Sequence, residues 1–327
     1  MNPLELIMHP VEQDLKRYQT LFNDSLCSDN PLLDMALTHL AKRQGKRMRP
    51  ILVMLAARYA GRVTDKVLHA AVGVEMLHTA SLVHDDIVDE SDMRRGQASV
   101  NALWGAQAAV LVGDYLFSKS MQHCLLSGSL GVMELIAKLG QDLADGELLQ
   151  LDLTHRDTFS DEPYYQVIDR KTAALFFTSA RVGAMLGGNG EDDKAVEEMS
   201  HYAHLLGRAF QLRDDIFDFD WQNQSGKPAG NDLREGKLTL PLLYALQQAG
   251  TPEDHAMALR VRHGEATDAE IHRMVQLAHE GGGIDYATGQ MNRLADEAIA
   301  RLEPGRAPVE VTDALHAYAH FVVGREL

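Results

Sequence analysis

Two short stretches of this chain carry the same arrangement of acids: LVHDDIVDE at residues 82–90 and QLRDDIFDFD at residues 211–220. Each sets Asp-Asp-x-x-Asp among apolar residues, with Asp85, Asp86 and Asp89 in the first and Asp214, Asp215 and Asp218 in the second. On a helix, residues four apart share a face, so Asp85 lies beside Asp89 and Asp214 beside Asp218. Like charges at that spacing destabilise a bare helix by a few tenths of a kcal/mol, and partial burial raises the cost to several kcal/mol. A hard divalent cation between the carboxylates removes that cost. Oxygen-only ligation, with neither His nor Cys in ligand spacing, points to Mg2+, which keeps waters and joins carboxylates to phosphate oxygens. A lone cluster of this kind is more often a solvated helix face. Two of them suggest a diphosphate held between them by several Mg2+ ions.

Cations complete the set. Lys46 and Arg49 lie in GKRMRP, Arg94 and Arg95 follow the first acid cluster, and Lys171 (in DRKTAALF), Lys227 and Lys237 surround the second. Singly each reads as a surface charge; together they supply what two diphosphates need, since Arg forks and Lys point charges bind phosphate oxygens. His78 precedes Asp85 by seven residues, two turns along one face, where it either packs structurally or touches phosphate. A GxxxxGK[ST] phosphate loop, a GxSxG elbow and an HExxH pair are all missing from the sequence.

The elements that must position these residues are helices. Apolar residues recur at helical spacing almost throughout, and strand-like clusters are scarce. Residues 64–90 read as one long helix with Thr64 as N-cap, followed by others over 106–126, 129–153 and 192–220. Gly- and Pro-rich turns punctuate them. No linker or composition shift divides the 327 residues, so the expectation is a single all-α domain, residues 1–327, of about a dozen helices. A hydrophobic content of 45% suffices for a large core, and a net charge of −16 with pI about 5.3 argues against nucleic-acid binding. The two cysteines, Cys27 and Cys124, form no disulfide framework. With neither a signal-like N-terminus nor a spanning apolar run, a cytoplasmic protein is expected.

These motifs, taken in order, resemble those of the trans-isoprenyl diphosphate synthases, most closely the bacterial octaprenyl diphosphate synthases. The likeness runs from GKRMRP through EMLHTASLVHDDIVDESDMRRG, LVGDYLFSKS, GELLQL, KTAALF and FQLRDDIFDF to GKPAGNDLREGKLTLPLL, and weakly on to HAYAHFVVGREL. The resemblance implies a helical bundle around a central cavity, in a homodimer, with the two acid motifs facing each other. It implies condensation of isopentenyl diphosphate onto an allylic diphosphate, here farnesyl diphosphate, with three Mg2+ ions. By position, Asp85, Asp89 and Asp214 ligate Mg2+, with Asp86, Asp215 and Asp218 supporting. Arg94, Lys171, Lys227 and Lys237 hold the allylic diphosphate; Lys46, Arg49, His78 and Arg95 hold the isopentenyl diphosphate; Thr172 and Gln211 line the reacting centre. Asn231 stands where many members have an acid, so no role is assigned there.

Ala80 and Ser81, about 6 to 7.5 Å along the helix from Asp85, are small where shorter-chain members carry an aromatic that stops growth at farnesyl length. The same two residues also suit ordinary helix packing. Gly73 is expected to leave further space, and Phe117, Met121 and His123 are candidates for the tunnel floor. The expected product is octaprenyl diphosphate for quinone side chains, released by at most peripheral membrane contact. Alternatives are a shorter or longer product, geranylgeranyl to solanesyl, or a non-catalytic subunit of a heteromeric synthase. A terpene cyclase would not need the Lys46/Arg49 site, and squalene- or phytoene-type synthases pattern their acids differently.

Overall fold

The computed structural model describes residues 2–42, 45–94, 96–190, 193–220 and 229–324. Along them run α1 (Pro3–Met8), α2 (Glu12–Ser25), α3 (Pro31–Lys42), α4 (Met48–Ala60), α5 (Asp65–Val88) and α6 (Val100–Leu126). There follow α7 (Leu130–Leu153), α8 (Glu162–Ile168), α9 (Ala174–Gly187), α10 (Lys194–Asp218) and α11 (Asn231–Arg234). The series closes with α12 (Leu240–Ala249), α13 (Pro252–Arg262), α14 (Asp268–Glu280), α15 (Gly283–Ala300) and α16 (Val309–Val323). Among the described residues the only strands are β1 (Met93–Arg94) and β2 (Gln97–Ala98), an antiparallel pair with Met93 opposite Ala98. The class is all-α, as expected. Two compact units form: Met1–Gly140 with Leu175–His201 and Leu302–Tyr318, and Gln141–Ala174 with Tyr202–Arg301 and Ala319–Leu327.

In the first unit, α5 is buried along most of its length, as an apolar helix without a polar stripe must be. Thr64 occupies its N-cap position, yet its side chain makes no capping bond. Close approach of helices rests on glycine. A Cβ on Gly183 would lie 2.1 Å from the Val53 carbonyl oxygen, and one on Gly113 would lie 2.1 Å from the His84 ring. Gly73 corrects an expectation in the same way: Cys124 Sγ fills its position at 2.3 Å and the Ser120 carbonyl closes in at 3.1 Å, so no space is left there. Phe117 and Met121 lie on the partly exposed side of α6.

His123 turns inward instead. Ser25 Oγ donates to the Leu21 carbonyl (2.7 Å) and so accepts from His123 Nε2 at 2.8 Å, leaving Nδ1 to accept from His69 Nδ1 at 3.1 Å. Burial, with His69 and Lys119 nearby, pushes the His123 pKa down to about 4. Its folded value therefore lies below the unfolded value of about 6.5. The unfolded chain takes up a proton between these values while the folded chain does not, so stability falls as pH drops from about 6.5 to about 4. Urea titrations across that range should show a loss of up to about 3 kcal/mol from this group, and His123→Asn should flatten the slope. An unchanged slope would contradict the assignment.

The second unit packs Leu242, Leu246, Met274, Val275 and Leu277 into one core. The feature that matters for chemistry is an interruption. Between α8 and α9 the chain makes a π-helical turn, Asp169–Ala173, of the wide kind that recurs at functional sites. Its flanks are tied down. Asp169 accepts from Arg208 Nε and Nη2, both at 2.6 Å. Arg170 pairs with Asp145 at 2.7 Å and Lys171 with Glu147. Gly146 permits the approach, since a Cβ there would lie 2.8 Å from both Arg170 Cβ and Lys171 Cγ. The wider turn rotates Lys171 and Thr172 relative to an uninterrupted α-helix.

Candidate active site

The first acid cluster sits where α5 stops. The helix ends at Val88, two residues short of the expected end, and the Asp89 N–H closes on the Asp85 carbonyl at 2.8 Å. Glu90 then takes a left-handed conformation (φ 48°), unusual for a residue with a Cβ. That reversal, continued by the β1–β2 ribbon, brings Arg94 back onto Asp86, with Nε to Oδ1 at 2.5 Å. Asp86 is 1% exposed, and its Oδ2 has no hydrogen-bond partner among the described residues. Asp85 is half-buried and Asp89 exposed.

A cavity of about 70 Å3 in this unit is lined by Tyr18, Arg47, Glu75, His78, Asp86 and Arg94. His78 is buried, Lys46 exposed and Arg49 half-buried. Ala80 is buried, while Ser81 is half-buried and its Oγ donates to the His78 carbonyl at 3.0 Å. The structure thus places His78, Asp86 and Arg94 around one space. Arg95 and Lys227 lie outside the described residues.

The second cluster ends α10 in a similar way. Asp214 is 44% exposed on its side chain and paired with Arg213 at 2.5 Å. Asp215 is 2% exposed and accepts from Tyr164 Oη at 2.5 Å and Gln211 Nε2 at 2.8 Å. Burial, reinforced by Asp232, raises the Asp215 carboxyl, while the hydrogen bonds it accepts from Tyr164 and Gln211 act in the other direction and favour its ionised form. Burial also holds the Tyr164 phenol well above its ordinary value, so it remains a donor. Asp218 accepts the backbone N–H groups of Asn231 (3.0 Å) and Asp232 (3.1 Å) at the start of α11.

A cavity of about 220 Å3 in this unit is lined by Gln150, Lys171, Thr172, Gln211, Asp215 and Lys237, among others. Thr172 Oγ1 donates to Gln211 Oε1 at 2.7 Å, Lys171 Nζ donates to Gln150 Oε1 at 3.2 Å, and Lys237 Nζ pairs with Glu235 at 2.6 Å.

Both clusters stand at helix C-termini, and neither helix has a basic residue in its last turn. The helix dipole presents its negative end there, so each added acid costs about 0.3–1 kcal/mol beyond the mutual repulsion. The donor set is all oxygen, the field favours a cation, and one buried carboxylate oxygen is orphaned; these residues fit Mg2+. Among the described residues no three His, Cys, Asp or Glu side chains converge as a ready-made metal cage. Mg2+ ordinarily takes one or two carboxylates and completes its shell with waters and substrate phosphate.

Several residues of these sites escaped sequence reasoning. Arg47, between the two basic residues singled out, caps α4 in a left-handed conformation (φ 50°) and lines the first cavity. Glu147 and Gln150 belong to GELLQL, a motif visible in sequence, but only the fold pairs them with Lys171. Tyr164 carried no signal at all.

The polyprenyl synthetase family model matches residues 30–278. Octaprenyl diphosphate synthase of Escherichia coli (strain K12) is 36% identical, covering 99% of both chains. The crystal structure of geranylgeranyl pyrophosphate synthase from Bacteroides thetaiotaomicron superposes with a TM-score of 0.86 at 39% identity, covering 99% of this chain and 100% of that one. The polyprenyl synthase from Caulobacter crescentus CB15, complexed with calcium and isoprenyl diphosphate, gives a TM-score of 0.89 at 35% identity over 98% of each chain.

Proposed function

Since the chain belongs to the polyprenyl synthetase family, a family of prenyltransferases, we propose that it extends an allylic diphosphate with isopentenyl diphosphate to all-trans octaprenyl diphosphate. Farnesyl diphosphate is the primer and quinone side chains are the destination. The observation that carries the reading is the division of labour within each acid cluster. Each cluster keeps a carboxylate exposed (Asp89, Asp214), with Asp85 half-buried, while Asp86 and Asp215 are buried against Arg94 and Tyr164, and Asp218 accepts backbone N–H groups of α11. The exposed and half-buried carboxylates would hold Mg2+, three ions in all, while the others are engaged by the protein itself. Each cluster would meet diphosphate oxygens through the Mg2+ it holds.

Bound Mg2+ supplies positive charge that stabilises the departing diphosphate. The chain's own residues do the rest. Lys171, Lys237 and Arg94 bind the oxygens of the allylic diphosphate, with Lys227 alongside. Lys46, Arg49, His78 and Arg95 hold the isopentenyl diphosphate. Thr172 donates its hydroxyl proton to Gln211, so its oxygen lone pairs remain for an electron-poor carbon in the cavity that both residues line. Water exclusion protects the allylic cation from hydrolysis until the isopentenyl double bond attacks it. The released diphosphate takes the final proton, and no side chain needs a tuned pKa.

The protein acts as a homodimer in the cytoplasm. Support for self-association comes from α6, where Leu111 and Leu125 are 68% and 60% exposed, since exposed apolar patches mark interaction surfaces. Among the described residues no helix is long and apolar enough to cross a membrane. A shorter geranylgeranyl product is the second reading, favoured by the 39% identity to the Bacteroides enzyme.

Purified protein incubated with Mg2+, isopentenyl diphosphate and either geranyl or farnesyl diphosphate should yield one dominant octaprenyl product by mass spectrometry. A sharp geranylgeranyl peak would select the second reading. Ala80→Tyr should shorten the product to farnesyl length or below, with the melting temperature measured in parallel because Ala80 is buried. An unchanged long product from that variant would defeat the steric account of chain length.

A further inference from the structure

In the second unit, four side chains form one directional chain of hydrogen bonds. Tyr164 Oη donates to Asp215 Oδ2 (2.5 Å), Gln211 Nε2 donates to Asp215 Oδ1 (2.8 Å), and Thr172 Oγ1 donates to Gln211 Oε1 (2.7 Å). The direction of each bond follows from the one before it. A phenol and an amide NH2 both point at Asp215, which a carboxylate can satisfy because its two oxygens both accept. The Gln211 amide is thereby turned with its NH2 toward Asp215 and its carbonyl toward Thr172. The Thr172 hydroxyl has one proton, spent on that carbonyl, so lone pairs are what it has left to present.

We propose that Asp215, anchored by Tyr164, is a positioning residue that acts through Gln211 to hold the Thr172 hydroxyl with its lone pairs, not its proton, toward the reacting allylic carbon. The inference rests on the prenyltransferase reading and deepens it. A hydroxyl oriented this way stabilises developing positive charge; the same hydroxyl reversed would present a positive hydrogen to it. Burial gives the relay its force, since Asp215 is 2% exposed and Tyr164 is buried beside it, and water is poorly placed to substitute for either partner. Side-chain shape alone would not require an acid at this position. Direction does.

Asparagine makes the distinction, being nearly the same shape with one donor side. In Asp215→Asn the Tyr164 phenol still needs an acceptor, so the new carbonyl faces Tyr164 and the new NH2 faces Gln211. Gln211 must then turn its carbonyl to that NH2 and its own NH2 to Thr172, whose hydroxyl proton is displaced into the cavity. Asp215→Asn should lower kcat by about 10²-fold, comparable to the loss of one oriented polar group at a reacting centre, with KM for both substrates unchanged. Adding Tyr164→Phe removes the phenol that dictates the asparagine's orientation. The double variant should then regain at least about tenfold of the lost kcat, although it has lost one more hydrogen bond. A role in packing or in holding Mg2+ predicts the reverse, a double variant as slow as Asp215→Asn or slower, and that result would overturn the proposal.

Two further measurements separate causes. The rise in melting temperature produced by Mg2+ with inorganic diphosphate should be the same in wild type and Asp215→Asn; a lost rise would mean that Asp215 serves the metal. If Asp215→Asn does not fold, Thr172→Val and Gln211→Met carry the test. Each should lower kcat, and together they should cost no more than either alone, because they act on one hydroxyl; additive losses would refute the relay. Wild-type protein without prenyl elongation would instead remove the underlying functional reading, whatever these variants do.

Discussion

Asp85→Asn should leave a folded protein whose turnover is lower by about 10³-fold. A carboxylate that binds Mg2+ contributes several kcal/mol to stabilising the leaving diphosphate, and about 4 kcal/mol corresponds to three decades of rate. The fold should change far less than the rate. Asp85 stands one turn before Asp89 at the negative end of α5, so removing its charge relieves repulsion worth a few tenths of a kcal/mol. Steady-state rates and thermal melts on the same preparation make the comparison. Catalysis that survives, or a rate loss matched by unfolding, would show that Asp85 is structural.

Arg94→Met should do the opposite and damage the fold as well as the activity. Asp86 is 1% exposed and its Oδ1 is held by Arg94. Removing the guanidinium strands a buried carboxylate whose other oxygen already lacks a partner, and breaking a buried pair from one side costs about 3–5 kcal/mol. Adding Asp86→Asn to Arg94→Met should restore much of the stability, because the stranded charge goes with it, but not the activity, which also needs a cation for the diphosphate. Denaturant titrations of the two single variants and the double variant form the cycle. Additive losses of stability would mean that the pair is not coupled.

The outline of the fold and the residues of both acid clusters were legible in sequence for one physical reason: helical spacing and repeated like charge are local signals. The long helices expected over 106–126, 129–153 and 192–220 correspond to α6, α7 and α10, with ends displaced by up to six residues. Signals that depend on distant partners were not legible. The π turn at Asp169–Ala173 is held by Arg208, Asp145 and Glu147, and nothing in DRKTA itself requires it. Tyr164 gains its meaning only from Asp215, fifty-one residues away in sequence. Gly73 misled because a missing side chain reads as space, whereas here it is the seat of Cys124. The early end of α5 has a related origin: local pattern continued the helix to Glu90, but the return of Arg94 to Asp86 requires the chain to turn at that point.

The central claim is that the two acid clusters serve one Mg2+-dependent prenyl transfer. The most direct measurement is release of inorganic diphosphate from purified protein given isopentenyl diphosphate, farnesyl diphosphate and Mg2+, with each component omitted in turn. The expected result is one diphosphate released per isopentenyl unit incorporated, none when isopentenyl diphosphate, farnesyl diphosphate or Mg2+ is left out, and none from protein carrying both Asp85→Asn and Asp214→Asn. Diphosphate release from farnesyl diphosphate alone, or undiminished elongation by the doubly substituted protein, would contradict it.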